Sequence, residues 1–165
     1  MSKIEAKRIG SRQGLFSVGL GLLIAQLIMT WLSSENGIIK GFFWFSTISY
    51  KLNILVGAII MLLSGHFYGE IAGIQIIIKK RNFILIGFLT GFAVLITTAF
   101  LCGWTGFFQE GIHNIGTEDD PFEDYIFKPL FWVTMFGLIP AFVVGIWFGG
   151  QIKIKGRKLE LKHSS

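Results

Sequence analysis

The run Ile76-Ile77-Ile78-Lys79-Lys80-Arg81-Asn82-Phe83-Ile84-Leu85-Ile86 sets three consecutive cations between two apolar stretches, and its reading decides the fold. Away from this turn each apolar stretch continues for about 20 residues, the length a helix needs to cross a hydrocarbon core of roughly 30 Å. The tails repeat the pattern. Lys3, Lys7, Arg8 and Arg12 precede the first apolar stretch, and Lys153, Lys155, Arg157, Lys158 and Lys162 follow the last. Together with the middle turn they hold twelve of the 15 basic residues. The two remaining connections hold Lys40, Lys51 and Lys128 against Glu35, Glu110, Glu118, Asp119, Asp120, Glu123 and Asp124. Lys and Arg collect on the cytoplasmic side of membrane proteins, so an alternation once per apolar stretch predicts an even number of crossings.

The fold predicted is therefore all-α: a single polytopic membrane domain over residues 1–165 with four transmembrane helices at about 15–32, 53–78, 83–103 and 130–150. Both termini are expected in the cytoplasm, and the location is the plasma membrane, or the inner membrane in a bacterium. With 52% hydrophobic residues and a mean hydropathy of +0.63, the chain is too apolar for a soluble domain of this size. Its net charge of +5 does not point to nucleic acid, because the cations flank the apolar stretches, where anionic headgroups and orientation account for them. One cysteine, Cys102, leaves no intrachain disulfide and no paired-cysteine chemistry. The segment Thr30-Trp31-Leu32-Ser33-Ser34-Glu35 has no small-residue cleavage site, so the first helix is expected to stay as a signal anchor.

The two halves resemble each other, giving possible repeat units 7–79 and 80–155. At an offset of 76, Gly69, Gly73, Gln75, Ile76, Ile78 and Lys79 pair with Gly145, Gly149, Gln151, Ile152, Ile154 and Lys155. At an offset of 73, Lys7-Arg8, Gly14 and Trp31 pair with Lys80-Arg81, Gly87 and Trp104. Tyr50-Lys51 and Phe127-Lys128 open the second helix of each unit. A tandem repeat of two helical hairpins predicts a pseudo-twofold axis along the membrane normal.

Small residues decide helix packing in lipid, where apolar side chains gain little by meeting. Gly65, Gly69 and Gly73 recur every four residues in the second helix, and Gly137, Ala141, Gly145 and Gly149 do so in the fourth. The matching stripes predict that these two helices cross each other, with Gly87 and Gly91 marking a weaker face on the third. Bulk at Gly69 or Gly145 is then expected to disrupt folding more than bulk at Gly103. Pro140, opposite Ser64 in the alignment, removes a backbone donor and is expected to kink or loosen the fourth helix.

His66 and Glu70 are the unusual polar residues. Counted back from Lys79 at about 1.5 Å per residue, Glu70 lies about 13 Å and His66 about 20 Å into the bilayer. Four residues apart, they share one helical face. Two uses are open: proton or ion chemistry, or helix–helix gluing through a neighbour such as Gln26, Thr97 or Thr98. Tyr68 points away from this face and reads as packing. In the second outer connection Glu110, His113, Glu118, Asp119, Asp120, Glu123 and Asp124 read as a solvated acidic loop, since none has the spacing of a zinc or calcium site. Aromatic stretches at Ile38–Phe45 and Phe122–Phe127, with Trp31, Trp104 and Trp132, predict an interfacial belt at the outer side.

No phosphate loop, dinucleotide fingerprint, nucleophile elbow or metal motif is present, and neither a cofactor nor a metal is expected. Besides the lipid bilayer, the expected partner is another membrane protein or a second copy of the chain. The leading function is a small non-catalytic membrane subunit, of accessory, assembly or immunity type, that works through helix contacts. The alternative is a small oligomeric channel or proton-coupled carrier using His66 and Glu70. A lipid-directed membrane enzyme has only one His and one Glu to support it.

Overall fold

The fold is that of a computed structural model, which describes residues 2–33, 37–46, 51–116 and 120–164. Glu35, Tyr50, Glu118 and Asp119 lie outside the described residues. Among those described, the chain is helical without a strand. Four helices are long and apolar enough to cross a membrane, with windows of mean hydropathy 2.0, 1.7, 2.3 and 2.0.

Helix α1 runs Lys3–Leu32. Ser2 caps it by accepting from the Glu5 amide at 3.2 Å, while Glu5 returns a bond to the Ser2 amide at 2.8 Å. Its 30 residues span about 45 Å, so it outlasts the hydrocarbon and carries its first turns beyond it. A short helix α2 (Ile38–Phe42) and a 3₁₀ turn (Trp44–Ser46) follow. Helix α3 (Lys51–Gly73) continues as a π-helical turn over Ile74–Ile78. The amides of Lys79 and Arg81 close it by bonding to the carbonyls of Ile74 and Gln75, each at 3.0 Å. Asn82 caps α4 (Phe83–Gln109), and a π-helical turn (Glu123–Phe127) leads into α5 (Lys128–Ser164). All four long helices exceed the stretches read from hydropathy, because their polar end turns continue the same backbone past the apolar windows.

The four helices form a ring. Helix α1 packs on α3, α3 on α4, α4 on α5, and α5 more thinly on α1. The expected crossing of the second and fourth helices along their glycines does not occur; α3 and α5 lie across the ring and meet mainly at the Ile74–Ile78 turn. Each stripe is used within its own hairpin. A Cβ on Gly10 would sit 2.0 Å from the Gly69 carbonyl oxygen, and one on Gly14 would sit 2.1 Å from that of Gly65. In the second hairpin a Cβ on Gly87 would sit 2.2 Å from the Gly145 oxygen, and one on Gly91 would sit 2.8 Å from that of Ala141. Gly10, Gly14, Gly87 and Gly91 supply the missing partner stripes, and each hairpin sets them antiparallel to α3 and α5. Gly137 instead receives the Leu95 side chain, with Cδ1 2.6 Å from where its Cβ would lie.

The contacts of the hairpins correspond. Ala6, Gly10 and Gly14 meet α3 as Phe83, Gly87 and Gly91 meet α5, with Gly73 and Gly149 in equivalent places. This pairs Gly14 with Gly91, one helical turn beyond the Gly87 that the sequence alignment chose.

Every long helix reaches a core at the basic end of the ring. Ala6, Ala72, Ile76, Ile77, Phe148 and Ile152 are buried there, with Phe83 and Ile86 packed against them. Gly156 abuts the Ile77 side chain, so the start of α1 and the far end of α5 share this end. Helix α5 runs unbroken through Pro140. Elsewhere the apolar faces point outward: only 6% of the apolar window of α5 is buried inside the protein.

Candidate functional site

The polar residues singled out in α3 find their partners on α1. Lys7 Nζ donates to Glu70 Oε2 at 2.9 Å, and Ser11 Oγ lies 2.6 Å from His66 Nδ1. Lys7 and Ser11 are one turn apart, as are His66 and Glu70. The glycine contacts set the two helices antiparallel at this level, so the two polar pairs face each other in register. Nε2 of His66 lies 3.6 Å from Glu70 Oε1, too far for a hydrogen bond but close enough for Coulomb attraction. With the ring protonated on Nε2, Nδ1 accepts from the Ser11 hydroxyl and the ring N–H faces the carboxylate.

Glu70 is held by a tail cation, and Arg8 and Arg12 are exposed along the same stretch of α1. Lys7 and Glu70 thus lie toward the basic end of the ring, and His66, beside Gly65 of the central cavity's wall, lies one turn nearer its middle. They are not enclosed there: the side chains of Lys7, His66 and Glu70 are 45%, 51% and 29% exposed.

A serine, an imidazole and a carboxylate in a row is an order that can activate a nucleophile. Ser11, however, is buried mid-helix, where the surrounding backbone amides are spent on helical bonds and supply no oxyanion donors. The row is suited to fixing register. In the second hairpin the positions equivalent to Ser11 and His66 are Phe88 and Phe142, whose rings meet edge to face at 5.4 Å. One seam is thus polar and the other aromatic on the same backbone geometry. Glu70→Gln is expected to lower stability only slightly, measured by unfolding in detergent, because the pair is partly exposed and screened.

Gln26 does not join this row. It sits at the acidic end, donating to the Phe42 carbonyl at 2.8 Å and accepting from Trp44 Nε1 at 3.0 Å. It thereby ties the connection around α2 to α1. Gln26→Leu leaves the Trp44 indole without this acceptor and is expected to cost about 1–2 kcal/mol, read as faster proteolysis of that connection. Thr97 bonds the Tyr68 hydroxyl at 3.0 Å, so Tyr68 adds a polar tie between α3 and α4. Thr98 Oγ1 is buried without a hydrogen-bond partner.

The described part of the acidic connection organises itself. Asp120 accepts from the amides of Phe122 and Glu123, and Lys128 pairs with Asp124 at 2.5 Å and Glu123 at 3.5 Å. The Tyr125 hydroxyl donates to Glu110. Trp104 and Phe122 are drawn into a ring cluster with Phe107, whose ring stacks on Phe122 at 4.6 Å. They fold the connection onto α4, whereas Trp31 (76% exposed) points outward as a belt residue does.

At the centre of the ring, between all four long helices, lies an apolar cavity of about 230 Å³. Ser17 and Thr90 are the hydroxyl residues on its wall, and the Thr90 hydroxyl is taken by the Ile86 carbonyl. Gly14, Gly65, Gly91 and Gly145 line it, so it owes its space to the packing stripes. Among the described residues no three of His, Cys, Asp and Glu converge as metal ligands would. No protein-family model matches the chain, and no curated protein or solved structure matches it.

Proposed function

We propose that the protein is a small non-catalytic subunit of the plasma membrane, with both termini cytoplasmic, that acts by lateral helix contact with another membrane protein. The observation that carries this reading is the separation of its polar and apolar surfaces. The centre of the ring is apolar, while the ionisable residues of the His66–Glu70 row do not line it and are partly exposed. A conducting or carrier path would need polar groups in succession through the bundle. What the molecule offers outward is a face of α5 on which Phe131, Phe136, Ile139 and Val143 are each at least 60% exposed. Lipid alone satisfies such a face; a partner helix would cover it equally well.

The two hairpins are proposed to descend from one duplicated unit. The matched contacts at Gly10 and Gly87, and at Gly14 and Gly91, support that origin. After duplication, polar residues in one seam and phenylalanines in the other would give the halves different neighbours.

Mild extraction from native membranes tests the proposal. One membrane protein is expected to co-purify in fixed ratio, and to be lost in Phe136→Ala/Ile139→Ala while the variant stays folded. Recovery of the chain alone would remove the reading's support. Proton flux above the empty-vesicle level in reconstituted vesicles, abolished by Glu70→Gln, would favour the carrier instead.

A further inference from the structure

A second cavity, of about 690 Å³, opens at the basic end between the α3–α4 turn and the last turns of α5. Lys80, Arg81, Lys153 and Arg157 line it, and Glu160 is the one carboxylate on its wall among the described residues. We propose that this cavity binds the phosphate-bearing headgroup of an anionic glycerophospholipid.

Three observations converge on that ligand. The first is charge: four cations from two separate segments surround one space, and only Lys80 is engaged by Glu160. Guanidinium and ammonium groups bind phosphate oxygens with charge-assisted hydrogen bonds. The N-terminus of α4 opens on the same space through Asn82, Phe83 and Ile84, adding the positive end of a 27-residue helix.

The second is shape. The cavity exceeds what a phosphate ion needs, and its remaining wall is apolar. Lys153 Nζ lies 4.5 Å from the Phe83 ring centroid, so the cation sits over an aromatic floor. Ile84, 43% exposed, continues that floor onto the apolar flank of α4. An amphipathic ligand, with phosphate among the cations and glycerol over the floor, matches both parts. The position suits it as well, because headgroups lie where the basic turns of a membrane protein leave the hydrocarbon.

The third is the backbone at Lys80. It has a φ of +50°, at the helix-ending position where glycine is usual, and the Arg81 amide bonds back to the Gln75 carbonyl, a closure one residue wider than a Schellman cap. A side chain is disfavoured in that conformation. A lysine kept there, with its ammonium on the cavity wall, is consistent with a use for the charge.

The site stands apart from the partner-docking reading and is tested separately. The purified full-length protein is titrated calorimetrically with short-chain phosphatidylglycerol, short-chain phosphatidylcholine and inorganic phosphate. Phosphatidylglycerol is expected to bind, and phosphatidylcholine at least about tenfold more weakly, since its choline meets four cations. Lys153→Gln/Arg157→Gln is expected to weaken phosphatidylglycerol about tenfold or more. Lys40→Gln/Lys51→Gln, the same charge change at the other end, should leave it unaltered. Glu160→Gln removes the competing carboxylate and should tighten binding, which keeps the site testable if the double variant folds poorly. Equal phosphatidylglycerol affinity in the Lys153/Arg157 variant, or no tightening in Glu160→Gln, overturns the proposal. Inorganic phosphate binding while phosphatidylglycerol does not would assign the cavity to a soluble phosphate and overturn the lipid as its ligand.

Discussion

Gly10→Ala is expected to destabilise the protein by about 2–3 kcal/mol or more, the range seen when extra carbon is forced into close-packed contacts. The added methyl would lie 2.0 Å from the Gly69 carbonyl oxygen and 2.8 Å from the Gly73 nitrogen, both backbone atoms that no rotamer change can move. Helices α1 and α3 would have to separate along their length, which also pulls Ser11 from His66. Gly87→Ala should act alike in the second hairpin, through the Gly145 oxygen at 2.2 Å. Gly19 is the control: nothing lies within 4 Å of its Cβ position, so Gly19→Ala should be neutral or stabilise by up to about 1 kcal/mol through helix propensity. Gly103, the tolerant site expected from sequence, is unsuitable, since its Cβ would meet the Tyr125 carbonyl oxygen at 3.0 Å. Unfolding midpoints in a mild detergent across the three variants measure the contrast. Equal loss at Gly10 and Gly19 would show that the hairpins do not seal where the structure places them.

Ile152→Ala should have the next largest effect, about 2–5 kcal/mol, as for other large-to-small changes at fully buried sites. Ile152 is 0% exposed and packs among Ala6, Ala72, Ile76 and Phe148, so its removal leaves a void where all four long helices meet. The same truncation at Ile154, half-exposed two residues on, should cost little. A small effect at Ile152 would mean that the end turns of α3 and α5 do not pack as described.

The sequence was enough to read four apolar helices and the charge alternation between them, because hydropathy and cation counts need no knowledge of neighbours. Which glycines face which was not legible from two stripes alone. The stripes of α3 and α5 match each other in spacing, and that likeness reflects equivalent positions in two hairpins, not contact. The signal that would have found the true partners is the antiparallel register: Lys7 and Ser11, one turn apart, complement Glu70 and His66, also one turn apart, just as Gly10 and Gly14 complement Gly69 and Gly65. Gln26 drew notice as a polar residue in an apolar run, but its use depends on Trp44, a distant aromatic whose position no local pattern reveals.

The central claim, that α1 seals against α3 and not α3 against α5, is tested most directly by paired cysteines in native membranes. In a Cys102→Ser background, Ser11→Cys/His66→Cys should form an oxidative cross-link rapidly, since the native side chains meet at 2.6 Å. His66→Cys/Phe142→Cys, equivalent positions on opposite sides of the ring, should form none within one chain. An intrachain link in the second pair, with none in the first, would contradict the account.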